Sequence, residues 1–192
     1  MVAVDLCNTV AAVNEAIADC LGLGPKWRWE KYGLAPAGIR DEEAWFRAHP
    51  EVFAEALPLP GAAEVLGRVA SAGWRIVYLS ARPRWAREMS LRWLKKHGFP
   101  RGELVLTRNK AETCRRLGIR IVVEDAPHEV RSLRRVAQVA VIGQPYNGSR
   151  LGWREIERIL AETGMRGGGS LPAGFLACGR GRTCRCEGTT PL

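Results

Sequence analysis

The chain has 192 residues, 46% of them hydrophobic and 26% charged. That is enough apolar material for one globular core and too much for a disordered or fibrous protein. No apolar run approaches the roughly 20 residues needed to cross a bilayer, so a membrane-bound reading is set aside. The formal charge is +9, of which the stretch from Met165 carries +3 through Arg166, Arg180, Arg182 and Arg185 against Glu187. The remaining basic residues stand mostly beside acidic ones, as in Arg154-Glu155-Ile156-Glu157-Arg158. A solvated face that attracts anionic substrates accounts for this charge, and a nucleic-acid partner is the alternative.

Met1 leads directly into a β-branched strand, Val2 to Asp5, without the basic start and long apolar stretch of a signal peptide; a cytoplasmic location is the expectation. Val10, Val13, Ile17 and Leu21 have helical spacing, which predicts a helix from Thr9 to Leu21, stopped by Gly22, Gly24 and Pro25. From there to Leu57 the character changes. Trp27, Trp29, Tyr32, Trp45, Phe46 and Phe53 alternate with charges and are broken by Gly33, Pro36, Gly38 and Pro50. A small helical insertion over residues 25–57 fits this pattern.

Pro58-Leu59-Pro60-Gly61 returns the chain to a regular alternation. A helix over 62–72 precedes a strand over 75–79, and a helix over 83–97 precedes a strand over 104–106. A helix over 110–117, a strand over 121–124, a helix over 127–136, a strand over 139–142 and a helix over 153–163 follow. Strands alternating with helices predict an α/β, Rossmann-like core with a mostly parallel sheet. The core is expected to comprise residues 1–24 and 58–164.

In such sheets ligands bind beyond the carboxyl ends of the strands. Those ends carry Asp5, then Ser80-Ala81-Arg82-Pro83, then Thr107-Arg108-Asn109-Lys110, then Glu124-Asp125. This set suits phosphoryl transfer. Asp5 can attack phosphorus, and Asp125 can share a magnesium ion with it. Ser80 and the neighbouring backbone at Ala81 can bind phosphate oxygens, and Lys110 can neutralise the developing charge. Singly, Asp5 and Ser80 could be helix caps and Lys110 an exposed first-turn lysine.

The four signatures resemble the motifs of the haloacid dehalogenase (HAD) superfamily: Asp5 to Thr9, Ser80, Lys110 and the pair Glu124-Asp125. Ser80-Ala81-Arg82-Pro83, Glu124-Asp125-Ala126-Pro127-His128 and Gln144-Pro145-Tyr146-Asn147 narrow the likeness to the cytosolic type C 5′(3′)-deoxyribonucleotidases and their bacterial relatives. The resemblance implies a HAD core, a magnesium-dependent phosphomonoesterase working through an aspartyl-phosphate, and a small phosphorylated substrate, a (deoxy)nucleoside monophosphate. It implies a metal site from Asp5, the backbone carbonyl of Cys7, Asp125 and Glu124. It also makes the insertion a cap that closes over the site, with Trp45 and Phe46 as candidates for stacking on a nucleobase.

One residue departs from the pattern. Hydrolytic members of the superfamily carry a second Asp two residues after the nucleophile, which protonates the leaving group and then activates water; here that place is Cys7. Proton transfer by a positioned group is typically worth about 10²–10⁴ in rate. A specialised phosphatase is therefore weighed against a nucleotide- or nucleic-acid-binding protein that keeps the fold, and against phosphotransfer or carbon–phosphorus hydrolysis. Of the six cysteines, Cys7, Cys20 and Cys114 read as reduced, small apolar residues. Cys178, Cys184 and Cys186 crowd a Gly- and Arg-rich stretch over 165–192, expected to be a disordered tail and not a zinc site.

Overall fold

The structure is a computed structural model and describes residues 1–24 and 27–166. Five strands build the sheet: β1 (Val2–Val4), β2 (Ile76–Ser80), β3 (Glu103–Leu106), β4 (Ile121–Glu124) and β5 (Gln138–Val141). They lie in the order β3-β2-β1-β4-β5, and every pairing is parallel. The chain winds outward from β1 to β3, then returns to place β4 on the other side of β1. The strand order therefore reverses between β1 and β4, and the carboxyl ends of those two strands form the crevice where such sheets bind ligands.

Alternation along the strands divides the core in two. Val2, Val4, Ile76, Tyr78, Ile121 and Val123 face one apolar cluster, and Ala3, Val77, Leu79 and Val122 the other. The first face is covered by α1 (Val13–Cys20), α4 (Ala62–Ser71), α5 (Arg87–Lys96) and α8 (Trp153–Arg166) through Ile17, Val65, Trp93 and Ile156. The second is covered by α6 (Lys110–Leu117) and α7 (Pro127–Leu133) through Cys114 and Leu133. Burial on both faces explains why the central strands are unbroken apolar runs.

Between α1 and α4, residues 27–57 contribute a 3-10 turn at Ala35–Ala37, α2 (Glu42–Ala48) and α3 (Glu51–Glu55). Trp29, Leu34, Ile39, Val52 and Phe53 of this segment join the same cluster as the first sheet face. The segment is thus anchored on the core by its own buried side chains.

The helix expected from Thr9 begins only at Val13. Asn8 adopts a left-handed backbone with φ 58°, and the amides of Val10 and Ala11 both donate to the Leu6 carbonyl. This closes a tight loop that apolar spacing alone does not reveal. Extended backbone at Pro83 likewise replaces the start of the helix over 83–97 with a 3-10 turn, Arg84–Ala86, before α5. α7 stops at Leu133, short of 136, and α8 runs three residues past 163 to Arg166. From residue 167 the expected tail, with Cys178, Cys184 and Cys186, lies outside the described residues.

Candidate active site

The crevice between β1 and β4 is lined by buried charge. Asp5 follows β1 and remains in the ladder through its amide, which donates to the Val123 carbonyl at 3.0 Å. Lys110 opens α6, whose N-cap Asn109 accepts from the Glu112 amide. From there the lysine reaches inward, only 3% exposed. Its Nζ donates to Asp5 Oδ1 and to Glu124 Oε2, both at 2.7 Å. The other oxygen of Glu124 accepts from the amides of Asp125 and Ala126, each at 3.1 Å. Asp125 Oδ1 accepts from Thr9 Oγ1 at 2.7 Å and its Oδ2 from the Tyr146 hydroxyl at 2.5 Å. Side chains from three separate stretches of the sequence, Asp5, Lys110 and the pair Glu124-Asp125, thus meet at one point. Asp5 does not cap a helix, and Lys110 is not on the surface.

Burial sets the electrostatics of this cluster. It pushes the Asp5 carboxyl up to about 6; Lys110 opposes the rise and Glu124 adds to it. Asp125 is held well above the ordinary carboxylate range, first by burial and then by the charges of Asp5 and Glu124. Burial alone would lower Lys110, but Asp5 and Glu124 outweigh it, and its ammonium is held more firmly than usual. Three carboxylates face one ammonium, so the cluster is short of positive charge.

That deficit bears on a metal ion. Oxygens of Asp5, Glu124 and Asp125 lie within 4.8 Å of one another. Hard carboxylate donors in a negative site suit a cation such as magnesium, which takes oxygen ligands. Both Glu124 oxygens are already engaged by Lys110 and backbone amides. The Asp125 oxygens are held only by the neutral hydroxyls of Thr9 and Tyr146, which an ion can displace, so Asp5 and Asp125 are the better placed donors, with Glu124 orienting the lysine.

The loops around the cluster are tied to each other. Asn8 accepts from the Asn14 amide and donates to the Asn14 side chain at 3.1 Å, locking the loop after β1 onto α1. Gln144 donates to the Asn8 carbonyl at 2.6 Å, Asn147 to the Asp125 carbonyl at 2.9 Å, and the Trp153 indole to the Thr9 carbonyl at 3.0 Å. The turn after β5 thereby clasps the loops after β1 and β4. Burial first, then Asp125, raises the Tyr146 hydroxyl above its ordinary pKa, so it remains a donor to that carboxylate. Tyr146 stood within the motif that suggested the family, but no role could be read for it from its own segment.

Cys7 lines the same cleft. Its Sγ accepts from Arg82 Nε at 3.2 Å, and burial raises the thiol while Arg82 opposes the rise. Arg82 was another residue without an assigned role. It is 5% exposed, donates through Nη1 to Ser90 Oγ at 3.0 Å, and lies 4.4 Å over the Phe53 ring. Its Nη2 is buried without a protein partner, and the residue lines the cleft. Ser80, buried, and Ala81 line the cleft beside it, and Ser80 Oγ accepts from the Arg82 amide at 3.3 Å.

Residues 27–57 form the opposite wall. Phe46 faces the cleft and stacks on Phe53 with ring centroids 4.6 Å apart. Trp45 is not among the lining residues; it lies against His49 at 4.5 Å. Successive helical residues point about 100° apart, so the two neighbours cannot share one direction. Tyr32 touches the core side of the cleft, 5.4 Å from the Tyr146 ring and 5.1 Å from His128. Glu43 of α2 meets Arg108, from the loop after β3, at 3.2 Å.

The fold and this crevice define a HAD-type α/β protein. The fold is shared with a HAD family hydrolase from Deinococcus radiodurans R1 with bound phosphate and sodium, at a TM-score of 0.56 and 15% identity, covering 85% of this chain and 96% of that one. It is shared also with L-2-haloacid dehalogenase from Xanthobacter autotrophicus, at a TM-score of 0.50 and 13% identity, over 84% of this chain and 82% of that one. In sequence, the chain is 27% identical over 115 residues to a putative 5′(3′)-deoxyribonucleotidase from Chlorobaculum tepidum; the match spans 54% of this chain and 55% of that protein. Residues 11–160 match the family of 5′ nucleotidase, deoxy (pyrimidine), cytosolic type C proteins. The chain belongs to that family.

Proposed function

We propose that the chain is a phosphomonoesterase that removes phosphate from (deoxy)nucleoside monophosphates through an aspartyl-phosphate on Asp5. The observation that carries this reading is the double contact of Lys110 with Asp5 and Glu124, both at 2.7 Å, beside Asp125 at the switch point of the sheet. Lys110 aims the Asp5 carboxylate and offsets its charge. A carboxylate oxygen of Asp5 attacks phosphorus, the bond from phosphorus to the nucleoside oxygen breaks, and the leaving oxygen takes a proton. Water then attacks the phosphorus of the aspartyl-phosphate, loses a proton, and releases phosphate with Asp5 restored. Ser80 and Arg82, whose Nη2 lacks a protein partner, line the cleft and would donate to phosphate oxygens. A magnesium ion held by Asp5 and Asp125 would supply the positive charge that the cluster lacks and polarise the phosphoryl group.

Cys7 occupies the place from which both proton transfers would be served. A thiol can give its proton to a leaving alkoxide, but with burial raising it above its ordinary range it regains that proton at neutral pH and is then not the base toward water that an ionised carboxylate would be. Breakdown of the phosphoenzyme is therefore the slow step, and the protein turns over slowly. Base stacking falls to Phe46, with Tyr32 and the Glu43–Arg108 pair at the cleft wall.

A panel of phosphomonoesters assayed with magnesium and with EDTA tests this reading. Phosphate release from nucleoside monophosphates that needs magnesium supports it. No release from any substrate, together with salt-sensitive oligonucleotide binding, would turn the reading toward a binding protein.

A further inference from the structure

Cys20, read from the sequence as a small apolar residue, is exposed at the last turn of α1. Its Sγ lies 3.6 Å from His49 Nδ1 and 3.9 Å from Glu51 Oε1, and His49 Nδ1 lies 3.2 Å from the same Glu51 oxygen. Sulfur, nitrogen and oxygen therefore form a small triangle. Its members come from α1, from the residue that ends α2 and from the first turn of α3.

A nucleophilic triad needs the imidazole to bridge, with one ring nitrogen toward the thiol and the other toward the acid. Here the thiol and the carboxylate both address Nδ1, so no proton relay runs through the ring. The arrangement is that of a chelate. A tetrahedral zinc ion with bonds of about 2.3 Å to sulfur and about 2.0 Å to nitrogen and oxygen has ligand–ligand edges of roughly 3.3–3.6 Å. Two of the three observed edges match within about 0.1 Å. The longest needs only a small rotation of the exposed Glu51 carboxylate. The ring of Trp45 against His49 holds the imidazole in place, and solvent access leaves room for water as the fourth ligand.

We infer that Cys20, His49 and Glu51 form a second metal site, for a thiophilic divalent cation of the zinc class, separate from the carboxylate cluster at Asp5. An ion there would fasten the end of α1 to the joint between α2 and α3. Those two helices carry Phe46 and Phe53, so the ion would fix the wall of the cleft that faces the charged cluster.

The test is cobalt titration of the metal-stripped 192-residue chain carrying Cys178→Ser, Cys184→Ser and Cys186→Ser, which removes three competing thiols, with excess magnesium to occupy the carboxylate cluster beside Cys7. The expected result is a thiolate-to-cobalt charge-transfer band that saturates at one equivalent and persists in excess magnesium. Adding Cys20→Ser should remove the band. His49→Ala should weaken cobalt binding by at least about 100-fold, at or beyond the 10–100-fold seen when only an outer partner of a ligand is lost. Both positions lie outside the buried core, and an unchanged circular dichroism spectrum verifies the fold. Absence of the band in the parent, or a band that survives Cys20→Ser, would overturn the inference. Neither readout depends on phosphatase activity.

Discussion

The two walls of the cleft are built on different principles. On the sheet side, Asp5, Lys110, Glu124 and Asp125 sit at a strand end or a few residues beyond it, are buried to within a few per cent, and have partners within hydrogen-bonding distance. On the other side, residues 27–57 present short helices, a partly buried Phe46 and an exposed Glu43. Rigid strands hold groups to the tolerance that bond-making needs; short surface helices can be altered without disturbing them. Changes on the sheet wall should therefore alter turnover, and changes on the opposite wall should alter substrate affinity.

The largest effect is expected at Asp5. Asp5→Asn keeps the shape and the acceptor for Lys110 but removes the nucleophile. It should reduce turnover by at least about 10⁴-fold, on the scale seen when a covalent catalyst loses its attacking atom. Residual activity near that of the parent would mean that Asp5 does not carry the phosphoryl group. Next is Cys7→Asp, which restores a carboxylate beside Arg82. Turnover should rise by about 10²–10⁴-fold, and a pre-steady-state burst of leaving group in the parent should vanish. A fall in turnover would instead give the thiol a role of its own.

The two walls also differ in how far the sequence discloses them. Asp5, Ser80, Lys110 and Glu124-Asp125 stand where apolar strands end, and a parallel sheet carries all such ends to one edge, so position along the chain translates into position in space. The bonds from Tyr146 to Asp125 and from Arg82 to Cys7 join segments 21 and 75 residues apart, and nothing in either segment names the other. The loop after β1 was hidden for another reason. Val10 extends the helical spacing of Val13, Ile17 and Leu21 backwards, although the left-handed Asn8 turns the chain there. Trp45 and Phe46 are adjacent and both aromatic, so only the orientation of α2 separates the residue in the cleft from its neighbour.

Charge burial makes the sheet wall costly in the metal-free protein, and that cost can be measured. Asp5 has its folded-state pKa raised from 3.8 to about 6. The stability tied to this group is fully present below about pH 4 and is lost as pH rises through about 6. The loss amounts to about 3 kcal/mol at most. Asp5→Asn, inactive, should therefore resist denaturant better than the parent at pH 7 in EDTA, by about 1–3 kcal/mol, with the gap closing near pH 4. Magnesium should narrow the same gap at pH 7 by supplying the missing charge. An Asn variant less stable than the parent at pH 7 would mean that the Lys110 contact outweighs burial.

Effects on the opposite wall should be smaller and should fall on KM. Phe46→Ala removes an aromatic face worth about 0.5–1.5 kcal/mol, so KM for nucleotides should rise about 2–10-fold with kcat nearly unchanged. Trp45→Ala, outside the cleft, should do less. Equal effects at the two positions would mean that substrate does not meet the face of α2 seen here.

The smallest effect is expected at the mouth, where Arg108 and Glu43 form an ion pair with side chains 82% and 54% exposed. Such pairs contribute about 0–1 kcal/mol, so Arg108→Ala should change KM by less than about fivefold, and by less still in high salt. The direction of the change is more informative than its size. If the pair only joins α2 to the loop after β3, Arg108→Ala and Glu43→Gln break the same contact and should shift KM alike. If Arg108 guides the anionic substrate inward, Glu43 competes for it. Arg108→Ala would then raise KM while Glu43→Gln lowers it. Opposite signs would give the exposed wall a share in the electrostatics otherwise confined to the strand ends.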